Sequence, residues 1–255
     1  MSSISQKLGT FFDCAGLFAS PFDILKYVYL KLSPAPFPKV MRIRLKGSKT
    51  ALLCRPATSD IGTLLSTFKM GYHRPEIDLP PNPVIFDLGA NVGYTVVDLA
   101  LRHPDARIIA VEMDKDNFQI ASGNILPFGD RCTLLHAALW TDDGEVSYEG
   151  GAADAFHISE SEGRAMSKVQ SRSLPSILRQ FQIDRVDYLK MDIEGAEREV
   201  IDTATEWAGN VRIMNVETHA PEIMDAVKAK LSLLGFTCVP SSSHWASVIA
   251  TNNNL

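Results

Sequence analysis

The motif DLGANVG is the first place in this chain where residue types and spacing could do chemistry. It begins at Asp87 and places Gly89, Asn91 and Gly93 at alternate positions. Because the glycines have no Cβ, a ligand can approach the backbone closely. The apolar residues before Asp87 predict a buried strand, and those from Tyr94 onward predict a helix. A loop between two such elements is where open α/β sheets bind nucleotide-like ligands.

The spacing of the glycines distinguishes between cofactors. A dinucleotide fingerprint, G-x-G-x-x-G, would need glycines where this chain has Asn91 and Tyr94. The carboxylate of Asp87 would repel a pyrophosphate but suits a cation. S-adenosylmethionine carries a sulfonium and an ammonium group and no phosphate, so the loop favours this cofactor. A dinucleotide-dependent oxidoreductase remains a disfavoured alternative.

A second acidic residue supports the same ligand. Glu112 follows a short β-branched run, Arg107–Val111, that predicts a strand. It comes about 20 residues after Gly93, where an acid commonly accepts hydrogen bonds from ribose hydroxyls. The simpler interpretation is that Asp87 and Glu112 only cap strands or helices. Their combination with the glycine loop favours an adenosine site.

A third group of acids lies in VDYLKMDIEGAEREV, residues 186–200. Asp192 comes just after a predicted strand, at the edge where ligands bind in open α/β sheets. Glu197 and Glu199 fit the preference of acids for a helix N-terminus. Asp192 and Glu194 have no such structural reason, so we predict a functional role for both.

A carboxylate and an imidazole follow the next predicted strand, Val211–Val216. In extended geometry Glu217 and His219 would point to the same side. We therefore predict that Asp192, Glu217 and His219 converge where an acceptor hydroxyl meets the cofactor. His219 could act as a general base, or the three side chains could bind Mg²⁺ or Mn²⁺. The metal-free mechanism is favoured, and the plainest alternative is that His219 only caps or packs.

From Val84 onward, predicted strands and helices alternate, which is typical of a doubly wound, mostly parallel sheet. Two short strands near the C-terminus predict an antiparallel hairpin at one edge. The expected domain covers residues 81–255, with a polar, irregular insert at 142–172 that could form a lid and whose His157 is expected at the surface. The predicted strands are Val84–Asp87, Arg107–Val111, Cys132–Ala137, Val186–Met191, Val211–Val216, Phe236–Pro240 and Ala246–Ala250, and the predicted helices are Tyr94–Arg102, Lys115–Ile125, Ala196–Ala208 and Pro221–Leu234.

Residues 1–80 match no motif and are predicted to form an extension that serves as a substrate lid or a packing element. The apolar stretch Phe11–Leu32 predicts one or two helices broken at Pro21. The alternating run Val40–Leu45 and the segment Ala51–Cys54 predict a small hairpin.

The composition excludes several classes of protein. The 255 residues carry a net charge of −5, which gives no electrostatic footprint for nucleic acid. The four cysteines lack CxxC spacing, so no zinc site is predicted. No apolar run approaches the length of a transmembrane segment or forms a convincing signal peptide. We therefore expect a cytoplasmic protein, and a homo-oligomer is left open.

Together these motifs resemble the FkbM-type S-adenosylmethionine-dependent methyltransferases. The resemblance covers Val84 to about residue 250 and is carried by DLGANVGY, the acid at 112, LKMDIEGAE and VETH. The segment HAALW, which starts at His136, is also similar. The run K-x-D-I-E-G-A-E is the most specific to that family. The resemblance implies a class I (Rossmann-like) methyltransferase fold with a seven-stranded sheet, and methylation of a hydroxyl on a sugar or another natural-product scaffold.

The resemblance also assigns roles to residues. Glu217 and His219 would activate a small-molecule acceptor, and Asp192, the third expected catalytic residue, would face either the amino-acid end of the cofactor or the acceptor. Ala137 and Ala138 would lie near the adenine. An N-methyltransferase and a non-catalytic S-adenosylmethionine-binding protein are the alternatives. The expected cofactor-binding residues are Asp87, Gly89, Asn91, Gly93, Tyr94, Glu112, Met113, Ala137, Ala138 and Asp192.

Overall fold

The protein was analysed as a computed structural model, which describes residues 16–32, 39–149, 157–158 and 167–255. The chain divides into two compact units, one up to Gly71 and one from Tyr72 to Leu255. The boundary therefore lies before residue 72 rather than between residues 80 and 81. The reason is that residues just after it bond within the second unit: the hydroxyl of Tyr188 donates to the carbonyl of His73 at 2.7 Å.

The first unit contains a small hairpin and helices. Strands β1 (Met41–Arg44) and β2 (Ala51–Cys54) pair antiparallel, as predicted from their alternating pattern. Helix α1 (Pro21–Leu32) begins at the proline where a break was expected. Helix α2 (Asp60–Leu65) continues into a π-helical turn. The part of the predicted Phe11–Leu32 segment before residue 16 lies outside the described residues.

The second unit contains a seven-stranded sheet in the order β12-β13-β11-β10-β3-β4-β5. All its strands are parallel except β13, which runs antiparallel to both neighbours. The class I methyltransferase fold is therefore confirmed, and the antiparallel strand lies one position in from the edge. The strands of this unit are β3 (Val84–Leu88), β4 (Arg107–Glu112), β5 (Cys132–His136), β6 (Ala138–Leu139), β7 (Gly144–Glu149), β8 (His157–Ile158), β9 (Ser167–Arg172), β10 (Tyr188–Met191), β11 (Ile213–Glu217), β12 (Phe236–Pro240) and β13 (Ser247–Asn252).

Helices connect the parallel strands. Two begin and end as predicted, whereas the helix predicted to reach Ala208 ends at Asp202 and is followed by two 3-10 turns. The helix at 174–181 was not predicted, although Ser173 caps it by accepting a hydrogen bond from the N–H of Ser176. The helices of this unit are α3 (Tyr94–Arg102), α4 (Lys115–Ile125), α5 (Leu174–Phe181), α6 (Glu197–Asp202) and α7 (Pro221–Leu233).

The described parts of the insert at 142–172 form strands rather than an irregular loop, which corrects the prediction for those parts. Within the described residues, β6, β9, β7 and β8 form a second sheet, with β7 and β9 antiparallel. In β9 the buried Val169 and Ser171 alternate with exposed Lys168 and Gln170. This period of two was hidden because few of its residues are hydrophobic. The side chain of His157 lies outside the described residues.

The central strands form much of the hydrophobic core, and their carboxyl ends form the edge of the sheet at which the predicted site residues lie. Nearly every side chain of β3 and β10 is buried, as expected for parallel strands covered on both faces. The carboxyl ends of β3, β4, β10 and β11 lie at one edge of the sheet, and antiparallel β13 starts there, because Glu217 pairs with Ser247.

Candidate active site at the carboxyl edge of the sheet

The loop after β3 depends on two glycines in left-handed conformations. Gly89 has φ +85°, and a Cβ there would lie 1.7 Å from the carbonyl oxygen of Asp192. Gly93 has φ +79°, and its Cβ would lie 3.1 Å from Ala121 of α4. The sequence alone predicted that a ligand would use the space left by the missing Cβ atoms. At Gly89 the protein itself occupies it, because the loop after β3 packs against the backbone that follows β10.

Glu112 at the end of β4 holds this loop in place. Its two carboxylate oxygens accept hydrogen bonds from the N–H groups of Asn91 and Asp114, each at 2.7 Å. Burial raises the pKa of Glu112 to about 8 despite these two donors. Each carboxylate oxygen can accept a further hydrogen bond, so the predicted contact with ribose hydroxyls is compatible with this arrangement.

A buried lysine that sequence reasoning missed joins the two acidic motifs. The Nζ of Lys190 lies 3.4 Å from Asp87 and 3.3 Å from Asp192, and it donates to the carbonyl of Gly89 at 3.2 Å. The second oxygen of Asp87 accepts a hydrogen bond from the hydroxyl of Thr95. Burial alone would lower the pKa of Lys190, but the carboxylates of Asp192 and Asp87 raise it well above its usual value.

A signal for this lysine existed in the sequence. Lys190 is a single charge within the apolar run YLKM of a predicted interior strand. Lysine is almost never fully buried unless it is paired. This rule would have pointed to carboxylates near the carboxyl ends of the predicted strands, such as Asp87 and Asp192, as its partners.

His219 lies among three carboxylates that follow β10. Its Nε2 is 3.1 Å from Glu194 and 3.9 Å from Asp192, and its Nδ1 is 3.3 Å from Glu197. Hydrogen bonds with Glu194 and then Glu197 raise the pKa of His219 to about 11. The imidazole is therefore protonated at neutral pH and has no lone pair to accept a proton. This arrangement does not support the general-base role that the sequence predicted for His219.

Glu197 makes contacts beyond those expected of an acid in the first turn of a helix. It is fully buried and accepts hydrogen bonds from the N–H groups of Ile193 and Gly195 at 3.0–3.2 Å. These bonds hold the turn in which Glu194 adopts φ +56°. Glu197 thus orients both the turn and the imidazole of His219.

No ion pair joins Glu217 to His219 among the described residues, although the two side chains are close enough for the charge of His219 to act on Glu217. Strand β11 ends at Glu217, and Thr218 turns to donate from its N–H and its hydroxyl to the carbonyl of Ala246. The alternation of a strand therefore does not extend to His219. Nδ1 of His244 lies 3.8 Å from the carboxylate of Glu217, and burial lowers the pKa of this imidazole. Burial, followed by the negative charge of Asp192, raises the pKa of Glu217 to about 7.

The candidate cation ligands also differ from the predicted set. Among the described residues, Asp192, Glu194 and His219 offer ligand atoms within 4.8 Å of one another, so Glu194 replaces Glu217. Two carboxylates and one imidazole suit a hard divalent cation. Here, however, the imidazole is already bonded to Glu194 on one side and Glu197 on the other.

The residues expected near the adenine follow β4 and β5. The N–H of Ala137 donates to the carbonyl of Glu112 at 3.1 Å, and Ala138 is buried at the start of β6. Met113 is half-buried and packs against a cluster that includes Ala138. The side chain of Tyr94 is only 1% exposed, so any ligand contact of this residue would come from its backbone.

Comparison with known proteins identifies the family. The model of the methyltransferase FkbM domain matches residues 87–238, more than half of the chain. The chain belongs to the FkbM methyltransferase family. It is thus an enzyme that takes a methyl group from S-adenosylmethionine, as the loop after β3 indicated.

Three curated relatives are similar to this FkbM methyltransferase. The methyltransferase sdnD of Sordaria araneosa is 28% identical over 66% of this chain and 79% of its own length. The 2-O-methyltransferase NoeI of Sinorhizobium fredii is 25% identical over 66% of this chain and 78% of its own. The hexuronic acid methyltransferase AglP of Haloferax volcanii is 26% identical over 54% of this chain and 56% of its own. None of the helices in the described ranges is long and apolar enough to cross a membrane.

Proposed function

We propose that this enzyme methylates a hydroxyl group of a sugar. The observation that carries the proposal is Glu217, a carboxylate with a pKa of about 7 at the carboxyl edge of the sheet. A general base is most effective when its pKa lies near the working pH. The names of two relatives support its two parts separately: a 2-O-methyltransferase supports transfer to oxygen, and a hexuronic acid methyltransferase supports a sugar as the acceptor.

The charges at the site suit the cofactor. Asp87, Lys190 and Asp192 together carry one net negative charge, and Glu112 lies at the next strand end. S-adenosylmethionine supplies an electrophilic methyl group on a positively charged sulfur. We assign the ribose hydroxyls to Glu112, and the methionine end of the cofactor to Asp192 and the loop at 87–93.

In this mechanism Glu217 accepts the proton of the acceptor hydroxyl. Such a base contributes typically 10²–10⁴-fold to the rate. The imidazolium of His219 stays protonated between Glu194 and Glu197, and its charge favours the anionic oxygen that develops during transfer. This role needs no metal ion, because the imidazole is held by its two acids. Alignment of donor and acceptor supplies most of the remaining acceleration, roughly 7–11 kcal/mol.

The test measures transfer of a labelled methyl group from S-adenosylmethionine to a panel of methyl glycosides of hexoses and hexuronic acids. We expect label on oxygen, and we expect Glu217→Gln to lose turnover while retaining S-adenosylhomocysteine affinity. Glu222→Gln, at an exposed position in the first turn of α7, is the matched control and should keep turnover.

Other outcomes point to other functions. Label that appears only on amines in a parallel panel would favour an N-methyltransferase. Full turnover in Glu217→Gln would remove Glu217 as the base. Failure to bind S-adenosylhomocysteine in calorimetric titration would refute the proposed function altogether.

A further inference from the structure

The most exposed aromatic side chain among the described residues lies beside this site. Trp245 is 85% exposed and belongs to the loop at 241–246, which connects β12 to β13. Because Ser247 at the start of β13 pairs with Glu217, this loop lies at the edge where the proposed base stands. An indole that is 85% exposed beside this edge is available for contact with an acceptor.

The backbone of this loop is held by many hydrogen bonds. One carboxylate oxygen of Glu76 accepts from the hydroxyl of Ser241 at 2.9 Å, and from the N–H and hydroxyl of Ser242 at 2.8 and 3.0 Å. The N–H of Ser241 donates to Ser247, whose own N–H donates to His244. These hydrogen bonds fix the backbone of the loop that carries the exposed side chain of Trp245.

Three rings form a row that leads from the base to the solvent. The Tyr72 and His244 ring centroids are 5.8 Å apart, and those of His244 and Trp245 are 6.1 Å apart. Nδ1 of His244 is 3.8 Å from the carboxylate of Glu217. The carbonyl of Tyr72 is held by Asn215, whose side-chain amide donates to it at 3.2 Å. We call Tyr72, His244 and Trp245 the aromatic row.

We propose that the aromatic row binds the ring of the sugar acceptor, with Trp245 stacking on the apolar C–H face of that ring. The inference rests on the proposed function and names the subsite that orients the hydroxyl toward Glu217. A pyranose has an apolar face and a polar rim, which matches the exposed indole of Trp245 on a loop that also carries the hydroxyls of Ser241 and Ser242.

The experiment compares Trp245→Ala, Trp245→Phe and a control by steady-state kinetics with the methyl glycoside that the panel identifies. Leu233→Ala is the control, because Leu233 is also 85% exposed but lies at the far end of α7 from the site edge. Loss of an aromatic contact should raise KM for the glycoside roughly 3- to 10-fold in Trp245→Ala. We expect a smaller rise in Trp245→Phe, no rise in Leu233→Ala, and unchanged S-adenosylhomocysteine affinity in all three variants.

The readouts separate failure of this inference from failure of the proposed function. If the enzyme binds S-adenosylhomocysteine and methylates a glycoside, but Trp245→Ala keeps the wild-type KM, the aromatic row is not the sugar subsite. Methylation of planar aromatic acceptors with none of the glycosides would also overturn the assignment. A rise in KM that is equal in Leu233→Ala would overturn it as well, because the effect would then not depend on the site.

Discussion

The substitution Lys190→Met tests whether the ammonium group of Lys190 stabilises the fold by pairing with Asp87 and Asp192. Methionine fills nearly the same volume but removes the cation. At 3.4 Å and an effective dielectric constant of about 20, the attraction between Lys190 and Asp87 is roughly 5 kcal/mol before desolvation is counted. Without Lys190, the fully buried Asp87 would keep only the hydroxyl of Thr95 as a partner. Removing one partner of a buried ion pair typically costs 3–5 kcal/mol, and we expect a loss of about that size in the free energy of unfolding.

Urea unfolding at pH 7, followed by far-ultraviolet circular dichroism, measures this loss. The double variant Asp87→Asn/Lys190→Met removes both charges and should recover a large part of it, since no uncompensated carboxylate is then buried. Lys168→Met is the matched control, because Lys168 pairs with Glu145 on the surface and its side chain is 68% exposed. That variant should unfold at nearly the wild-type urea concentration.

Two results would refute the reasoning. One is a loss below about 1 kcal/mol in Lys190→Met, since the cation would then contribute little to stability. The other is a double variant that is no more stable than Lys190→Met alone, since the cost would then come from packing rather than from the isolated charge of Asp87.

Four further predictions concern the loop, the pH dependence and the metal. Gly89→Ala should abolish S-adenosylhomocysteine binding in calorimetry, because its Cβ would lie 1.7 Å from the Asp192 carbonyl and φ is +85°; wild-type affinity would contradict the observed packing. With Glu217 as the base, turnover should rise as pH increases through about 7, because only the ionised carboxylate accepts a proton; a flat profile between pH 6 and 8 would argue against it. Because ribose hydroxyls donate best to ionised Glu112, S-adenosylhomocysteine affinity should rise as pH increases from 6.5 towards about 8, and constant affinity would count against that contact. Treatment with a chelator should leave turnover unchanged, since His219 is bonded to carboxylates on both sides; a loss that Mg²⁺ restores would favour a metal site.

The elements of the catalytic domain were largely predictable from local patterns. Apolar runs such as Val84–Asp87, and the helical spacing of the segments that follow, depend only on neighbouring residues. The predicted helices Tyr94–Arg102 and Lys115–Ile125 therefore agree with the structure. The strands of the insert were missed because a polar, half-exposed sheet carries little hydrophobic signal.

The site was only partly predictable, since pairing at the carboxyl edge involves residues far apart in the chain. Glu217 and His219 are two residues apart, yet their side chains contact different groups, because β11 ends at Glu217. The protonation of His219 depends on Glu194 and Glu197, which come from another strand end. No spacing rule in the sequence contains this information.

The sequence alone determined the fold class, the cofactor and the family, because each depends on residue types at fixed local offsets, as in DLGANVG and KMDIEGAE. The tertiary structure decided which charges meet. It placed Lys190 between Asp87 and Asp192, and it raised the pKa of His219 to about 11 but that of Glu217 only to about 7. The physical reason is that proton affinity depends on burial and on charges within a few ångströms, which only the packing of distant strand ends establishes.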